Sequence, residues 1–284
     1  MRICLEVWGS DPRRLVEVAM HAEMVGLDGV YLGEGPTGLN ADAWSTLGAI
    51  AAQTRRIRLG PVIANLLPDA RSPVAMARHG ATLAALSQGR FDFRTGIGAA
   101  GGSGRRWWEP AGIRYPGYAQ RVIDTDRQLA ILRRLWSGEA VDLGDGPFEL
   151  GLCHPPIEIT VAATSATAFE IARIHADRWE TSFATPMQFQ QRAHVAPPGL
   201  ATSLEIDGFV GSIHEPERVW RQVVRDRGTE DLDAIRRRAL VGSPLEVRDR
   251  LDDFDVAGVD QLVVALHDPT DLDAISALAE SRRR

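Results

Sequence analysis

Residues 72–96 read SPVAMARHGATLAALSQGRFDFRTG and contain, in one stretch, the unit from which the chain is built. Ser72 and Pro73 are a favoured N-cap and first helical residue, and an amphipathic helical pattern follows them. Gly89 then supplies a residue that adopts the left-handed conformation at a helix end without a Cβ clash. The apolar run that begins at Phe91 predicts a strand, so the stretch reads as helix, glycine and strand.

The same unit recurs at 14–33 around Gly26 and at 245–266 around Gly258. Strands that alternate with helices are typical of a parallel sheet. Eight strands are predicted, at 2–8, 28–33, 57–63, 91–97, 157–162, 178–183, 204–210 and 260–266. Eight such units in 284 residues favour the α/β class and a single closed (β/α)8 TIM barrel over residues 1–284, rather than an open doubly wound sheet.

Two stretches interrupt this regular pattern. Residues 98–117 are rich in glycine and predict a long loop after the fourth strand, and residues 138–156 predict a hairpin insertion before the fifth. Long connections inside a compact domain are usually functional or disordered. Because barrel enzymes build their sites at the carboxyl ends of the strands, the segment after the fourth strand starts beside the expected site.

The composition excludes several classes of function. All 32 basic residues are arginine, which removes a Schiff-base lysine and a Walker-A lysine. The net charge of −6 argues against a protein that coats nucleic acid. No apolar run approaches the roughly 18 residues of a membrane span, and the first residues hold no signal-peptide core. The two cysteines form no disulfide framework, so we expect a soluble cytoplasmic protein.

Candidate site residues follow the predicted strands, where a barrel places its active site. In chain order they are Trp8, Glu34, Asn65, Gly96, Gly98, Ala99, Ala100, Ala163, Thr164, Ser165 and His267. The histidines do not cluster at metal-ligand spacing, so no metal site is predicted, and the chain has no GxSxG nucleophile elbow.

These residues offer backbone groups and flat apolar surfaces more than reactive side chains. Glycines at 96 and 98 let a ligand approach the main chain closely, and the helix start at 164–165 offers N–H groups that bind phosphate without lysine. Flat or apolar side chains that suit a planar heterocycle are Trp8, Ile63, Trp107 and Trp108. The pattern therefore predicts a phosphate-bearing cofactor with an aromatic ring, bound over the barrel mouth.

A set of short motifs runs through most of the chain. They are IRLGPVIAN at 57–65, LSQGR at 86–90, GIGA at 96–99, LWSG at 135–138, ITVAA at 159–163, GSP at 242–244 and AGVD at 257–260. In this order and spacing they resemble the luciferase-like monooxygenase superfamily. The resemblance is closest to the branch that uses the deazaflavin F420, such as methylene-tetrahydromethanopterin reductase.

The resemblance implies F420, or alternatively FMN, at the barrel mouth. It implies a non-prolyl cis peptide bond at Val62–Ile63 behind the ring, and a phosphate held between the turn at 98–100 and the helix start at 164–165. The expected activity is hydride transfer between F420 and an organic small molecule. The alternatives are an FMNH2-dependent monooxygenase and a non-catalytic barrel, and a homodimer is the expected assembly.

The sequence departs from the family pattern near the expected chemistry. Gly35 stands where the family often has a histidine, and Ala100 replaces a usual glycine. Glu34 follows the second strand, where the family places an acid, and is the expected catalytic polar partner; His267 is the second candidate for moving a proton. The tryptophans at 107–108 are expected to line the substrate mouth, with a loop anchor packed on the surface as the alternative.

Overall fold

The computed structural model describes residues 1–36, 40–144, 146–211, 221 and 232–282, which form an α/β barrel. The wall has eight parallel strands: β1 (Arg2–Val7), β2 (Gly29–Gly33), β3 (Arg58–Val62), β4 (Asp92–Gly96), β5 (Glu158–Ala162), β6 (Arg178–Ser182), β7 (Ala201–Val210) and β8 (Gln261–Leu266). Each overlaps one predicted strand, so the predicted (β/α)8 barrel is confirmed.

The barrel closes between β3 and β4. The short strand Ala64–Asn65 extends β3 beyond a cis peptide bond at Val62–Ile63 and pairs in parallel with β4. A parallel bridge between Leu59 and Phe91 joins the same two strands lower down. The remaining strands pair in chain order, with β8 against β1. The cis bond lies where the family resemblance implies it.

Helices cover the outside of the barrel. They are α1 (Pro12–Val25), α2 (Ala43–Gln53), α3 (Pro73–Leu86), α4 (Gly101–Trp108), α5 (Tyr118–Trp136), α6 (Ala166–His175), α7 (Pro186–Ala193), α8 (Leu232–Arg238), α9 (Pro244–Val256) and α10 (Leu272–Glu280). Ser72 and Ser243 are N-caps as predicted, and Gly26 ends α1 with a φ of 94°. None of the described helices is long and apolar enough to cross a membrane.

Strand alternation divides the wall into an outer apolar face and an inner polar face. On β1, Ile3 and Leu5 belong to the large core beneath the helices, whereas Cys4 lies inside the barrel with Tyr31 and Val263. Burial, with a smaller contribution from the charge of Asp28, raises the pKa of the Cys4 thiol to about 12. Cys4 is therefore a core residue and carries no thiolate at neutral pH.

Charged residues fill the lower part of the barrel interior. We call Arg58, Asp92, Glu158 and Arg178 the barrel floor, because each begins a wall strand. Within it, Arg58 is ion-paired with Asp92, and Arg178 Nη2 lies 2.7 Å from Glu158 Oε1.

Above the barrel floor lies a second, fully buried pair. Arg94 is ion-paired with Glu180, which also accepts a hydrogen bond from Ser203 Oγ at 2.7 Å. Partners of this kind are what makes buried charge tolerable in a protein interior. The lower part of the barrel interior is therefore filled by ion pairs. Within the barrel, a ligand can bind only above it, at the carboxyl ends of the strands.

Of the two insertions, the hairpin was predicted correctly and the loop only in part. The hairpin before β5 is confirmed, with Val141–Asp142 antiparallel to Pro147–Phe148. The predicted loop at 98–117 is wrong in part, because its residues 101–108 form helix α4. Gly104 packs directly under the Tyr115 ring, where an added Cβ would lie 2.1 Å from ring atoms. Tertiary packing of this kind outweighs the low helix propensity of glycine.

Candidate active site

An apolar platform lies at the carboxyl ends of β3, β4 and β5. Gly96 pairs with Ala162 on one side and with Asn65 on the other. A Cβ added to Gly96 would lie 3.2 Å from Ile63 Cδ1 and 3.2 Å from Ala162 Cβ, so both side chains crowd the glycine. We call Ile63, Gly96 and Ala162 the platform. It is apolar and has no charged side chain, and the neighbouring Val62 is buried.

The turn after β4 brings bare main chain next to the platform. Gly98 has a φ of 84°, and a Cβ there would lie 2.5 Å from the Tyr115 hydroxyl, so only glycine fits. The Ala99 carbonyl accepts hydrogen bonds from Tyr115 Oη at 2.8 Å and from Arg121 Nη2 at 3.0 Å. In the described part of the chain, no group accepts from the N–H of Ala99 or Ala100. The carbonyl of the turn is therefore fixed by hydrogen bonds, and the N–H groups of Ala99 and Ala100 remain able to donate to a ligand.

Two helix N-termini follow the neighbouring strands β4 and β5. Helix α4 begins at Gly101 without a side-chain cap from Ala100. Helix α6 is capped by Ser165, whose Oγ accepts from the Ala168 N–H at 3.3 Å and lies 2.8 Å from the Tyr118 hydroxyl. Helix N-termini attract anions, so the predicted phosphate segments lie on adjacent strands at one edge of the platform.

The residues just before Ser165 have different surroundings from each other. Ala163 is buried, donates from its N–H to the Glu180 carbonyl at 2.9 Å and accepts from Trp179 Nε1 at 2.8 Å. Thr164 is exposed. Ala163 thus fixes the start of the connection, and Thr164 and Ser165 are the members of this segment that a ligand can reach.

Glu34 is held firmly at the end of β2. Its Oε1 accepts from Trp44 Nε1 at 2.7 Å and is ion-paired with Arg71, and its Oε2 accepts from the Asn65 N–H at 2.7 Å. The Asn65 amide in turn donates to the Ile63 carbonyl at 3.1 Å. Glu34 is therefore connected to the platform through Asn65, and the structure places its carboxylate as a positioning group for that segment.

Trp8 covers the end of β2 from the side of β1. Its indole packs so closely on Gly33 that an added Cβ there would lie 2.1 Å from the ring. The indole N–H donates to the Glu6 carboxylate, which points into the barrel. Glu6 thus orients Trp8, although no prediction from the sequence concerned this acid.

His267 lies directly after β8, on the side of the mouth away from the platform. Its backbone N–H donates to the Gly208 carbonyl at 3.1 Å, and its ring stacks on Phe209 with centroids 5.6 Å apart and an interplanar angle of 16°. Nδ1 is buried and has no hydrogen-bond partner among the described residues. The ring is therefore fixed in plane while one nitrogen keeps its capacity to hold a proton.

Three interior acids were missed by the search for residues that follow strands. Glu6 and Asp207 pair in register with Ala265 from its two sides, and Glu205 accepts from Ser182 Oγ at 3.1 Å. Their signal is present in the sequence, since acids at alternate positions of an apolar strand must face a polar interior. Among the described residues, no three His, Cys, Asp or Glu side chains are grouped to hold a metal ion.

The two tryptophans of α4 lie in different surroundings. Trp108 is buried in a small cluster with Leu67 and Tyr115, which is the loop-anchor alternative. Trp107 has a relative exposure of 50%. Lining of the substrate mouth therefore stays a prediction for Trp107, and the packing of Trp108 gives it an anchoring role.

Comparisons with known proteins give relatives by sequence and by fold. An F420-dependent glucose-6-phosphate dehydrogenase of Amycolatopsis mediterranei is 32% identical over 152 residues, which cover 49% of this chain and 42% of that relative. The matched part thus spans less than half the length of this curated relative.

Solved structures match over nearly the whole barrel. An F420-dependent secondary alcohol dehydrogenase in complex with an F420-acetone adduct gives a TM-score of 0.79 at 17% identity, covering 99% of both chains. A coenzyme F420-dependent tetrahydromethanopterin reductase of Methanopyrus kandleri gives 0.71 at 18% identity, covering 99% of this chain and 97% of that one. At such identities the likeness shows a shared fold.

The family itself follows from the sequence match. The model of the luciferase-like monooxygenase family matches residues 6–197, which include the platform, the glycine turn and both helix N-termini. The resemblance carried by the motifs is thereby confirmed, and the chain belongs to the luciferase-like monooxygenase family.

Proposed function

We propose that the protein is an F420-dependent oxidoreductase that transfers hydride between the deazaflavin and an organic small molecule. The observation that carries this proposal is the apolar platform joined, on neighbouring strands, to an anion-binding turn and two helix N-termini. The F420-dependent enzymes among the matched proteins support it.

The residues present fit such a cofactor. A planar apolar ring needs a support without charge and with little side-chain bulk, which Ile63, Gly96 and Ala162 provide. A phosphate needs N–H donors, and the turn at 98–100 with the helix starts supplies them without lysine. A side chain at Gly98 would collide with the Tyr115 hydroxyl, so the turn keeps its shape only with glycine there. The platform, the turn and the helix starts would thus bind the cofactor through backbone groups and shape. Binding and orienting the cofactor is what the protein contributes in a cofactor-dependent enzyme.

When bound, F420 supplies the hydride chemistry, and the protein orients the ring and manages one proton. Glu34 orients the platform segment through Asn65, as its hydrogen bonds indicate. Because both Glu34 oxygens already accept hydrogen bonds, we assign the proton to His267, whose Nδ1 has no hydrogen-bond partner among the described residues, with Glu34 as the alternative acid–base group. The substrate would approach from the side of Trp8 and Trp107.

Cofactor identity is tested by adding F420 and FMN separately to the purified protein and following their fluorescence. We expect saturable binding of F420 that is tighter than that of FMN. Binding of FMN alone would replace the proposal with an FMNH2-dependent monooxygenase, since reduced FMN reacts with oxygen. If neither binds, the barrel is non-catalytic. Turnover is then followed as the absorbance change of F420 with a panel of organic alcohols and carbonyl compounds.

The Ser165→Asp variant tests where the phosphate binds. Aspartate is as good an N-cap as serine, so α6 still begins at the same residue. The substitution adds a negative charge next to the proposed phosphate position. We expect F420 affinity to fall about tenfold, and the loss to shrink in high salt. Ser165→Asn is the matched control, because asparagine also caps the helix but adds no charge. Equal affinity in both variants would place the phosphate elsewhere.

A further inference from the structure

A groove of about 530 Å³ lies on the outside of the barrel, between helices α2 and α3. The two helices pack against each other, but small residues line the groove and leave it open, namely Ser45 and Gly48 on α2 and Ala75 on α3. A Cβ added to Gly48 would meet nothing within 4 Å. Small-molecule sites occupy roughly 300–1,000 Å³, so the groove has the size of a ligand site.

The groove is cationic at one end and apolar at the other. Its upper end, beside the carboxyl ends of the strands, is lined by Arg71, Arg78 and His79. Its lower end is lined by Leu83 and Leu86. Seven residues of helix rise about 10.5 Å, which separates His79 from Leu86 along the groove. This spacing suits a small molecule with a charged head and an apolar body.

The polar groups of the upper end keep binding capacity. Arg78 has no ion-pair or hydrogen-bond partner among the described residues. Partial burial, and then the charge of Arg71, lower the pKa of His79, so its ring is neutral at neutral pH and can donate a hydrogen bond. Asp42, an acid that lines the groove, caps α2, where its Oδ2 accepts from the Ser45 N–H at 2.8 Å. A ligand carboxylate would thus meet a guanidinium and a neutral imidazole.

Arg71 connects the groove to the candidate active site. It is ion-paired with Glu34, whose other oxygen accepts from the Asn65 N–H, and its guanidinium carbon lies 5.5 Å from the centroid of the Trp44 ring. Trp44 also lines the groove, donates to Glu34 and lies 5.4 Å from the His79 ring, centroid to centroid. An anion in the groove would therefore compete with Glu34 for Arg71.

We propose that the groove between α2 and α3 is an effector site for a monocarboxylate with an apolar body. The carboxylate binds at the end lined by Arg71 and Arg78, and the apolar part lies along Leu83 and Leu86. Because the ligand and Glu34 share one arginine, each weakens the other's hold on it, and this coupling is reciprocal. The proposal goes beyond hydride transfer and does not depend on which cofactor binds.

Binding is tested by calorimetric titration of the purified protein without cofactor. The probe is phenylbutyrate, and its uncharged counterpart is phenylbutanol. Each exposed ion pair contributes a factor of about 2 to 5, so two arginines should make phenylbutyrate bind about 4- to 25-fold more tightly than phenylbutanol. Arg78→Gln should leave a preference of about 2- to 5-fold. Arg127→Gln is the matched control, since it removes an exposed arginine of α5 outside the groove and should keep the full preference. Equal affinity for the two ligands overturns the proposal.

The position of the site is tested at Gly48. Gly48→Leu places a side chain in the open groove and raises helix propensity, so it should abolish phenylbutyrate binding without destabilising the fold. Gly48→Ala is the matched control, because it also raises helix propensity but adds a single carbon. Binding that survives in Gly48→Leu overturns the site, and so does the lack of saturable binding to the wild type. In the latter case, a sedimentation coefficient that changes in Gly48→Leu would identify a second copy of the chain as what covers the groove.

Glu34→Gln tests the coupling to the candidate active site. Without the charge of Glu34, Arg71 can bind the ligand carboxylate, so phenylbutyrate affinity should rise about 2- to 5-fold while phenylbutanol affinity stays the same. Thermal melting shows that the variant is folded. Unchanged phenylbutyrate affinity overturns the effector role, because the groove would then be independent of Glu34. An equal rise for both ligands also overturns it, since the substitution would have changed the shape of the groove.

Discussion

Replacing Arg94 with methionine is expected to lower the free energy of unfolding by about 3–5 kcal/mol. Arg94 is fully buried and ion-paired with Glu180, which is 1% exposed. Removal of the cation leaves a carboxylate in the barrel interior whose one remaining donor among the described residues is Ser203 Oγ. The guanidinium also lies 4.1 Å from the centroid of the Tyr31 ring, a contact that methionine cannot reproduce. Denaturant unfolding followed by tryptophan fluorescence measures the change.

The double variant Arg94→Met/Glu180→Leu is the control. Nε and Nη1 of Arg94 have no hydrogen-bond partner among the described residues, so the pair is incompletely satisfied. Apolar replacement of such a pair is often neutral or stabilising, and we expect the double variant within about 1 kcal/mol of the wild type. A single variant as stable as the wild type, or a double variant no better than the single, would contradict the expected importance of the pair.

Replacing Glu34 with glutamine is expected to reduce turnover about 10²-fold or more while F420 affinity changes only a few fold. Glutamine keeps the shape but turns one acceptor into a donor, so it cannot serve Trp44, Asn65 and Arg71 together. The platform segment then loses its fixed position, and Arg71 loses its counter-charge. Steady-state kinetics gives turnover, and thermal melting shows that the protein measured is folded.

Asp42→Asn is the matched control for this change. Asp42 lies 4.0 Å from Arg71 with a side chain 54% exposed, and asparagine keeps its role as the N-cap of α2. We expect wild-type turnover in this variant. His267→Ala completes the set: a collapse there with full activity in Glu34→Gln assigns the chemistry to the histidine alone. Full activity in both would mean that neither side chain is needed, either to move the proton or to hold the platform segment.

The wall of the barrel could be predicted because each strand has a local signal. The apolar run after Gly89 and the capped helix after Ser72 are decided by residues within a few positions of each other. The segment 98–117 could not be predicted in the same way, because its helix depends on Tyr115, which packs on Gly104 and forms a cluster with Trp108. Local propensity is overruled there by contacts that only the fold creates.

The position of the candidate site could be predicted from the sequence, but the ion pairs and hydrogen bonds that hold its residues could not. Gly96 ends a strand, and Gly98 and Ser165 follow strands, so a rule based on strand ends finds them. The ion pair between Glu34 and Arg71 joins residues 37 positions apart and has no local signature. Glu6 and Asp207 lie within strands, where the search did not look, although their alternation with apolar residues places them inside the barrel.

The ion pairs of the barrel floor affect the pH range over which the fold is stable. Burial alone lowers the pKa of Arg58, but the hydrogen bond and charge of Asp92 outweigh it and hold the pKa above its ordinary value. A raised pKa means that the stabilising contribution is lost only as the pH climbs through that raised value. A lysine in this place would lose its proton at a lower pH than arginine does, because its ordinary pKa is lower. Because the described cations of the barrel interior are arginines, the ion pairs that they form with Asp92, Glu158 and Glu180 persist in alkaline surroundings.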